Sequence, residues 1–159
     1  MTNFGALLRR LAGARVDFVL IGGLAVLAHG HVRATLDLDV CYARTSENYR
    51  RLVAALEPIH PRIRGAPESL PFFFDERTLL NGLNFTLTTD EGDLDLLGEV
   101  TGIGTFDDVA PRAVTIDAYD VELKMISLDD LIRAKAAAGR AKDLIDLEAL
   151  RALKNRRPA

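Results

Sequence analysis

A layered α/β or α+β fold built on a mixed sheet is what this sequence predicts, and three observations predict it. Short apolar, partly β-branched runs alternate with stretches of helical periodicity. Two pairs of strand-like runs are separated by hairpin turn signals. A hydrophobic content of 48% supplies a core, while 27% charged residues suit a globular surface. Hairpins demand antiparallel neighbours and strand–helix–strand order favours parallel ones, so the sheet is expected to be mixed and flanked by helices. These cues leave α/β and α+β both open. At 159 residues the expectation is one domain spanning 1–159, with a helical C-terminal segment over about 127–153.

Taken in order, Asn3 can cap a helix running to about Ala12, with Leu7, Leu8 and Leu11 on one face and Gly13 near its end. Asp17 to Ile21 is short and apolar and reads as a buried strand. Gly22-Gly23 turns the chain, and Leu24 to His29 forms a helix ending at Gly30. Leu36 to Tyr42 alternates, placing Leu36, Leu38 and Val40 on one face and Asp37, Asp39 and Cys41 on the other. Thr45 and Ser46 cap a helix from Glu47 to about Leu56, which Pro58 terminates. Four prolines between positions 58 and 71 predict an irregular linker. Leu83 to Thr89 and Asp93 to Leu97 form a hairpin around Asp90-Glu91-Gly92. A short helix near Thr105 to Val109 follows, then a second strand pair, Val114 to Ile116 and Val121 to Met125, around Ala118-Tyr119-Asp120. Ser127 caps a helix with Asp129 and Asp130 in its first turn, Gly139 breaks it, and a last helix runs from Ala141 to about Leu153.

Charge and composition exclude several classes. A net charge of −3 is not that of a polycation made to coat nucleic acid. Arg133, Lys135, Arg140, Lys142, Lys154, Arg156 and Arg157 nevertheless gather near the C-terminus and mark where a basic patch is expected. No run reaches the roughly 18 apolar residues of a membrane span, and the start Met1-Thr2-Asn3-Phe4 lacks the features of a signal peptide. The single cysteine, Cys41, rules out an internal disulfide and fits a reducing compartment, so a cytoplasmic protein without membrane partners is expected.

The chemistry centres on Asp37 and Asp39. Two apart on a strand, their Cα atoms lie about 7 Å apart on one face, close enough for both side chains to converge on one hard cation or share two. A lone D-x-D also suits a strand with one wet face, and Asp93-Leu94-Asp95 carries the same ambiguity. Three neighbouring features favour chemistry. The acidic strand follows a strand–Gly22-Gly23–helix unit, whose N-terminal N–H groups make a ready phosphate site. The short connection lets that turn and the acidic strand lie side by side. The later hairpin offers Asp95 as a third carboxylate. N–H donors for phosphate oxygens, carboxylates for magnesium, and one carboxylate to draw a proton from an attacking hydroxyl are the parts a nucleoside triphosphate site needs.

Ile21-Gly22-Gly23, a thirteen-residue spacer and Asp37-Leu38-Asp39-Val40 together resemble the signature of the nucleotidyltransferase superfamily, and Asp95 in Leu94-Asp95-Leu96 matches its third carboxylate. Arg33-Ala34-Thr35 and the tail from Leu131-Ile132-Arg133-Ala134-Lys135 through Arg140-Ala141-Lys142-Asp143 are similar to the minimal toxin–antitoxin-associated branch, with its MNT-type antitoxins and AbiEii-like toxins. The resemblance spans about Val16 to Leu153. It implies a nucleotidyltransferase fold and transfer of a nucleoside monophosphate from a triphosphate, ATP first, to a hydroxyl. It further implies that Asp37, Asp39 and Asp95 are catalytic and hold one or two Mg2+, that Gly22 and Gly23 cradle phosphates, and that Arg33 and Lys135 add positive charge. Acceptors in the family are a partner toxin's tyrosine, the 3′ end of a tRNA or a small antibiotic, so a cognate toxin or antitoxin or a tRNA is the expected partner. Many members carry Ser where Gly23 stands, which leaves only backbone donors at that position.

Other residues have plainer expectations. Arg33 holds a phosphate, orients the acidic strand or pairs with Asp37. Lys142 and Asp146, four apart, describe a solvated helix face. His29 and His31 lack partners for a zinc site. Phe72-Phe73-Phe74 is core packing, and Cys41 a small buried hydrophobe. Two rival classes remain: an antitoxin that neutralises a partner by binding alone, and a haloacid-dehalogenase-type phosphatase. The phosphatase shares an Asp-x-Asp-Val strand but places it first in its fold, whereas here a strand–Gly-Gly–helix unit precedes it.

Overall fold

The computed structural model describes residues 1–157. Its elements follow the hydrophobic pattern closely. The side chain of Asn3 accepts the Ala6 N–H at the start of α1 (Phe4–Gly13), and Leu7, Leu8 and Leu11 are buried. β1 (Phe18–Ile21) is buried along its length. α2 (Gly22–His29) begins at the glycines themselves and ends at Gly30 in the left-handed region. β2 (Asp37–Tyr42) alternates as its sequence predicts, with Leu38 and Val40 fully buried. Thr45 caps α3 (Ser46–Leu56), and a 3-10 turn over Glu57–Ile59 takes up Pro58. There follow β3 (Arg62–Ile63), α4 (Glu76–Asn81), β4 (Asn84–Thr89), β5 (Gly92–Leu97), β6 (Glu99–Val100), β7 (Gly104–Thr105) and α5 (Phe106–Val109). β8 (Val114–Ala118) and β9 (Val121–Met125) meet at Tyr119 and Asp120, both with positive φ, the mirror-image turn that matches strand twist. α6 (Leu128–Ala138) and α7 (Ala141–Arg156) close the chain.

Seven strands form one sheet in the order β3-β4-β5-β2-β1-β9-β8, while β6 and β7 make a separate ribbon. β1–β9 and β2–β5 are parallel and the other pairs of the large sheet antiparallel, so the sheet is mixed. α1, α3 and α4 pack as one group, and α2, α6 and α7 as another. Among the described residues no helix is long and apolar enough to cross a membrane.

Four local expectations need correction. The proline-rich stretch is not wholly irregular: Arg62 and Ile63 add an edge strand to β4, and the Arg64 N–H continues the ladder to the Thr86 carbonyl. Leu36 lies just outside β2 and is exposed rather than buried with Leu38. In Phe72-Phe73-Phe74 only Phe74 is fully in the core and Phe73 is exposed, because α4 follows and turns the chain after Phe74. The last helix runs to Arg156, three residues past the predicted end.

Asn48 ties α3 to the strand layer. Fully buried, it accepts the Asp17 N–H and donates to the carbonyls of Asp17 and Ala43, satisfying backbone at the start of β1 and the end of β2. Asn48→Ala removes all three bonds, leaving the Asp17 N–H and the Ala43 carbonyl without these partners while the Asp17 carbonyl keeps the Ala43 N–H, and the expected cost is about 2 kcal/mol of unfolding free energy, measured by equilibrium urea denaturation.

Candidate active site

The register of the two central parallel strands concentrates negative charge. β2 and β5 pair Asp37 with Asp93 and Asp39 with Asp95, and residues in register share a face, so all four carboxylates project from one side of the sheet. Their neighbours Leu38, Val40, Leu94 and Leu96 are fully buried on the other side. One oxygen from each of Asp37, Asp39 and Asp95 lies within 4.8 Å of the others. Burial, the nearby Asp37 charge and a hydrogen bond to Asp95 push Asp39 up to about 8, with Lys135 opposing the shift. Burial also raises Asp95, against the hydrogen bond from Asp39 and the charge of Arg64. Asp39 therefore keeps its proton near neutrality and shares it with Asp95. Such a set wants positive charge, and three oxygen ligands in one place fit a hard divalent cation.

The turn from β1 into α2 faces this cluster, since Ile21 pairs with Asp39 across the antiparallel ladder. Gly22 has φ +70°, and a Cβ there would overlap the Asp39 carboxylate. Glycine is therefore required twice over, by backbone conformation and by close approach. At Gly23 a Cβ would stand 2.5 Å from Arg33 Nη1 and 2.7 Å from Thr35 Oγ1. A serine at this position would collide with both, so the space its side chain would fill is taken by the Arg33-Ala34-Thr35 loop. The first-turn N–H groups of α2 have no partner within the helix and remain for an anion.

α6 and α7 supply the opposite wall. Lys135 Nζ lies 3.2 Å from Asp143 Oδ1 and 3.1 Å from Asp146 Oδ2. Arg33 Nε is 3.3 Å from Asp146, and Arg140 Nε is 2.7 Å from Asp143. Asp143 and Asp146 are almost wholly buried. Burial alone would raise Asp143, but the bonds from Arg140 and Lys135 outweigh it and hold the carboxyl low. Gly22, Gly23, Arg33, Asp37, Asp39, Asp95 and Lys135 all line a single cleft of about 610 Å³, with apolar surface from Ile126, Leu131 and Ala134.

The structure redraws several other expectations. Arg33 pairs with Asp146 and not with Asp37. Asp146 belongs to this buried group and does not share a solvated face with Lys142. Several of the C-terminal basic residues are paired: Arg133 bonds Asp130, Lys154 bonds Asp129, and Arg157 donates to the His29 carbonyl. His29 is buried with Nε2 2.8 Å from the Ile126 carbonyl, a packing role.

Sequence reasoning missed Arg64, which follows β3. Its Nη2 donates to Asp95 Oδ1 at 2.8 Å and to the Leu87 carbonyl at 2.7 Å. Nη1 lies 3.4 Å from Asp37 Oδ2 and Nε 3.5 Å from Asp93 Oδ2. The alternation Arg62-Ile63-Arg64 is a faint strand signal, hidden among the prolines.

No family model and no curated protein sequence matches the chain. Solved structures do. The chain is similar to the lincomycin-bound lincosamide antibiotic adenylyltransferase LnuA, with TM-score 0.61 and 16% identity over 96% of this chain and 98% of that one. It is also similar to a nucleotidyltransferase candidate from Thermotoga maritima, with TM-score 0.57 and 16% identity over 95% of this chain and 89% of that one. The fold is therefore that of the nucleotidyltransferases.

The protonation of Asp39 contributes to the pH dependence of stability, with raised Asp95 acting in the same direction and His29, lowered by burial, acting against it below its ordinary value of 6.5. The folded state holds a proton between the ordinary value of 3.8 and about 8 that the unfolded chain releases. This contribution is complete below the lower value and is lost as pH rises through the upper one. Urea denaturation in EDTA is expected to show stability falling by roughly 1 kcal/mol per pH unit above about pH 6.5, where the His29 contribution is complete, and up to about 8. Asp39→Asn should flatten that slope.

Proposed function

We propose that this protein is a magnesium-dependent nucleotidyltransferase that moves a nucleoside monophosphate from a triphosphate, ATP first, to a hydroxyl acceptor. The observation that carries the reading is the convergence of Asp37, Asp39 and Asp95 on the N-terminus of α2 within one cleft. Asp37 and Asp39, with Asp95, would hold one or two Mg2+, which when bound neutralise charge on the phosphoryl group and the departing pyrophosphate. The α2 N–H groups at Gly22 and Gly23 cradle the β- and γ-phosphates, and Lys135 and Arg33 add positive charge from the facing wall. Asp95 takes the proton as the acceptor oxygen forms its bond to the α-phosphorus and the bond to pyrophosphate breaks.

Two observations bear on the acceptor. The fold is covered almost end to end by a lincosamide antibiotic adenylyltransferase, which supports a small hydroxyl compound. The resemblance of the tail around Lys135 and Arg140 supports a toxin–antitoxin setting, in which a partner's tyrosine or a tRNA 3′ end takes the nucleotide in the cytoplasm. A second reading, neutralisation of a partner by binding alone, is favoured by exposed Val32 and Ile145, which flank the Arg33–Asp146 pair in sequence.

Calorimetric titration with the four ribonucleoside triphosphates, with and without Mg2+, tests the site. Binding is expected to need the metal and to vanish in Asp37→Asn/Asp39→Asn. With an α-labelled triphosphate and a panel of acceptors, Asp39→Asn should reduce transfer by about a thousand-fold or more while melting normally. Transfer at the wild-type rate in that variant would sink the mechanism. Partner neutralisation that survives it, with no triphosphate bound by the wild type, would move the binding-only reading to first place.

A further inference from the structure

Arg64 is the residue the proposed reaction does not account for. It stands at the end of a two-residue edge strand, its own N–H fixed to Thr86, and its side chain reaches over β4 to the acidic face. Register explains the reach: Thr86 pairs with Asp95, and Asp95 with Asp39, so Arg64 heads a row that ends at the centre of the cluster. The guanidinium is the cation in contact with Asp37, Asp93 and Asp95 at once.

The quality of those contacts is uneven. Nη2 is well bonded, but the approaches to Asp37 and Asp93 are 3.4 and 3.5 Å. Nε is buried without a hydrogen-bond partner. A guanidinium is at its strongest in a bidentate fork on one carboxylate, and here the fork is spread over three. It supplies charge to Asp37, Asp93 and Asp95, with a short bond to Asp95 and a bidentate fork to none of them. One oxygen each of Asp37 and Asp95 faces Arg64, and these same residues supply the candidate metal ligands, so guanidinium and cation draw on one set of acids.

We propose that Arg64 is a resident counter-cation of the catalytic carboxylates, which weakens their hold on free divalent metal and makes metal loading depend on the triphosphate. The inference rests on the nucleotidyltransferase reading of the same site. A positive charge a few ångströms from a bound cation opposes it, whereas a triphosphate brings negative charge that offsets the arginine. Metal and nucleotide then bind with positive coupling, which must act equally on both affinities. The protein would be loaded by the metal–nucleotide complex rather than by the free ion.

Manganese binding followed by the electron paramagnetic resonance of the free ion tests this without any turnover. Wild type, R64Q, R64K and Asp39→Asn are titrated with Mn2+, each with and without α,β-methylene-ATP. R64Q is expected to bind free Mn2+ about ten-fold more tightly than wild type and to gain less from the nucleotide. R64K keeps the charge and should stay near wild type, which separates charge from loss of side-chain packing. Melting in EDTA at pH 5 identifies a variant that has lost its fold, and R62Q, which alters the neighbouring exposed arginine on the same strand, should leave Mn2+ affinity unchanged. Affinity in R64Q equal to or weaker than wild type, with Mn2+ binding still abolished in Asp39→Asn, overturns the role given to Arg64 and leaves the site reading intact. R64K as tight as R64Q overturns it too. Failure of every protein to bind Mn2+ with or without the analogue overturns the site reading and the inference with it.

Discussion

Everything around the cleft answers one electrostatic constraint: four aspartates leave the same face of two adjacent parallel strands, in a partly buried setting where like charges cannot all ionise. The sheet creates the problem because its register is dictated by the other face. Leu38, Val40, Leu94 and Leu96 must be buried together, and a slip by one residue would exchange apolar for acidic along the whole strand. Once that register is set, the carboxylates converge whether or not a cation is present. The remainder of the site supplies compensation from three directions: a proton on Asp39, the Arg64 guanidinium from the sheet edge, and Lys135 from the helical wall. The α2 N-terminus adds a partial positive charge pressed against Asp39, an approach that only a glycine at position 22 permits.

What was legible in the sequence follows from which interactions are local. Caps and turns are local, and so Asn3, Thr45, Ser127, Gly30 and Gly139 mark helix ends that the structure reproduces. Period-two alternation is local as well, which made the acidic face of β2 readable, and β5 followed from its hairpin. Residues whose partners are distant in sequence were not readable. Arg64 meets Asp37 and Asp95 across two strands, and nothing near position 64 announces it. Proline density, the usual mark of a linker, concealed an edge strand that tolerates prolines on either side because one of its flanks needs no ladder. The pairing of the C-terminal basic residues was hidden for a related reason. Charge counted along the chain takes no account of the acids Asp129, Asp130, Asp143 and Asp146, which lie on the same two helices and pair with several of those cations.

α7 is the sharper case, because its polarity runs against pattern. Leu144 and Ile145 are exposed while Asp143 and Asp146 are buried. Leu147 and Leu150 are buried as an amphipathic helix requires, and the two aspartates join them on the inward side because each is paired with a cation there. Lys135 and Arg33 line the same cleft as the sheet carboxylates. Each is held by an acid: Lys135 donates to Asp143 and is ion-paired with Asp146, and Arg33 is ion-paired with Asp146, at 3.1 to 3.3 Å. Breaking such a buried group by removing one partner leaves an uncompensated charge, which makes the arrangement rigid as well as costly. The cleft thus presents clustered carboxylates on the sheet and, facing them, the cations Lys135 on α6 and Arg33 in the loop before β2. A ligand that carries its own anionic chain and arrives with a cation can then bridge them, satisfying both walls at once.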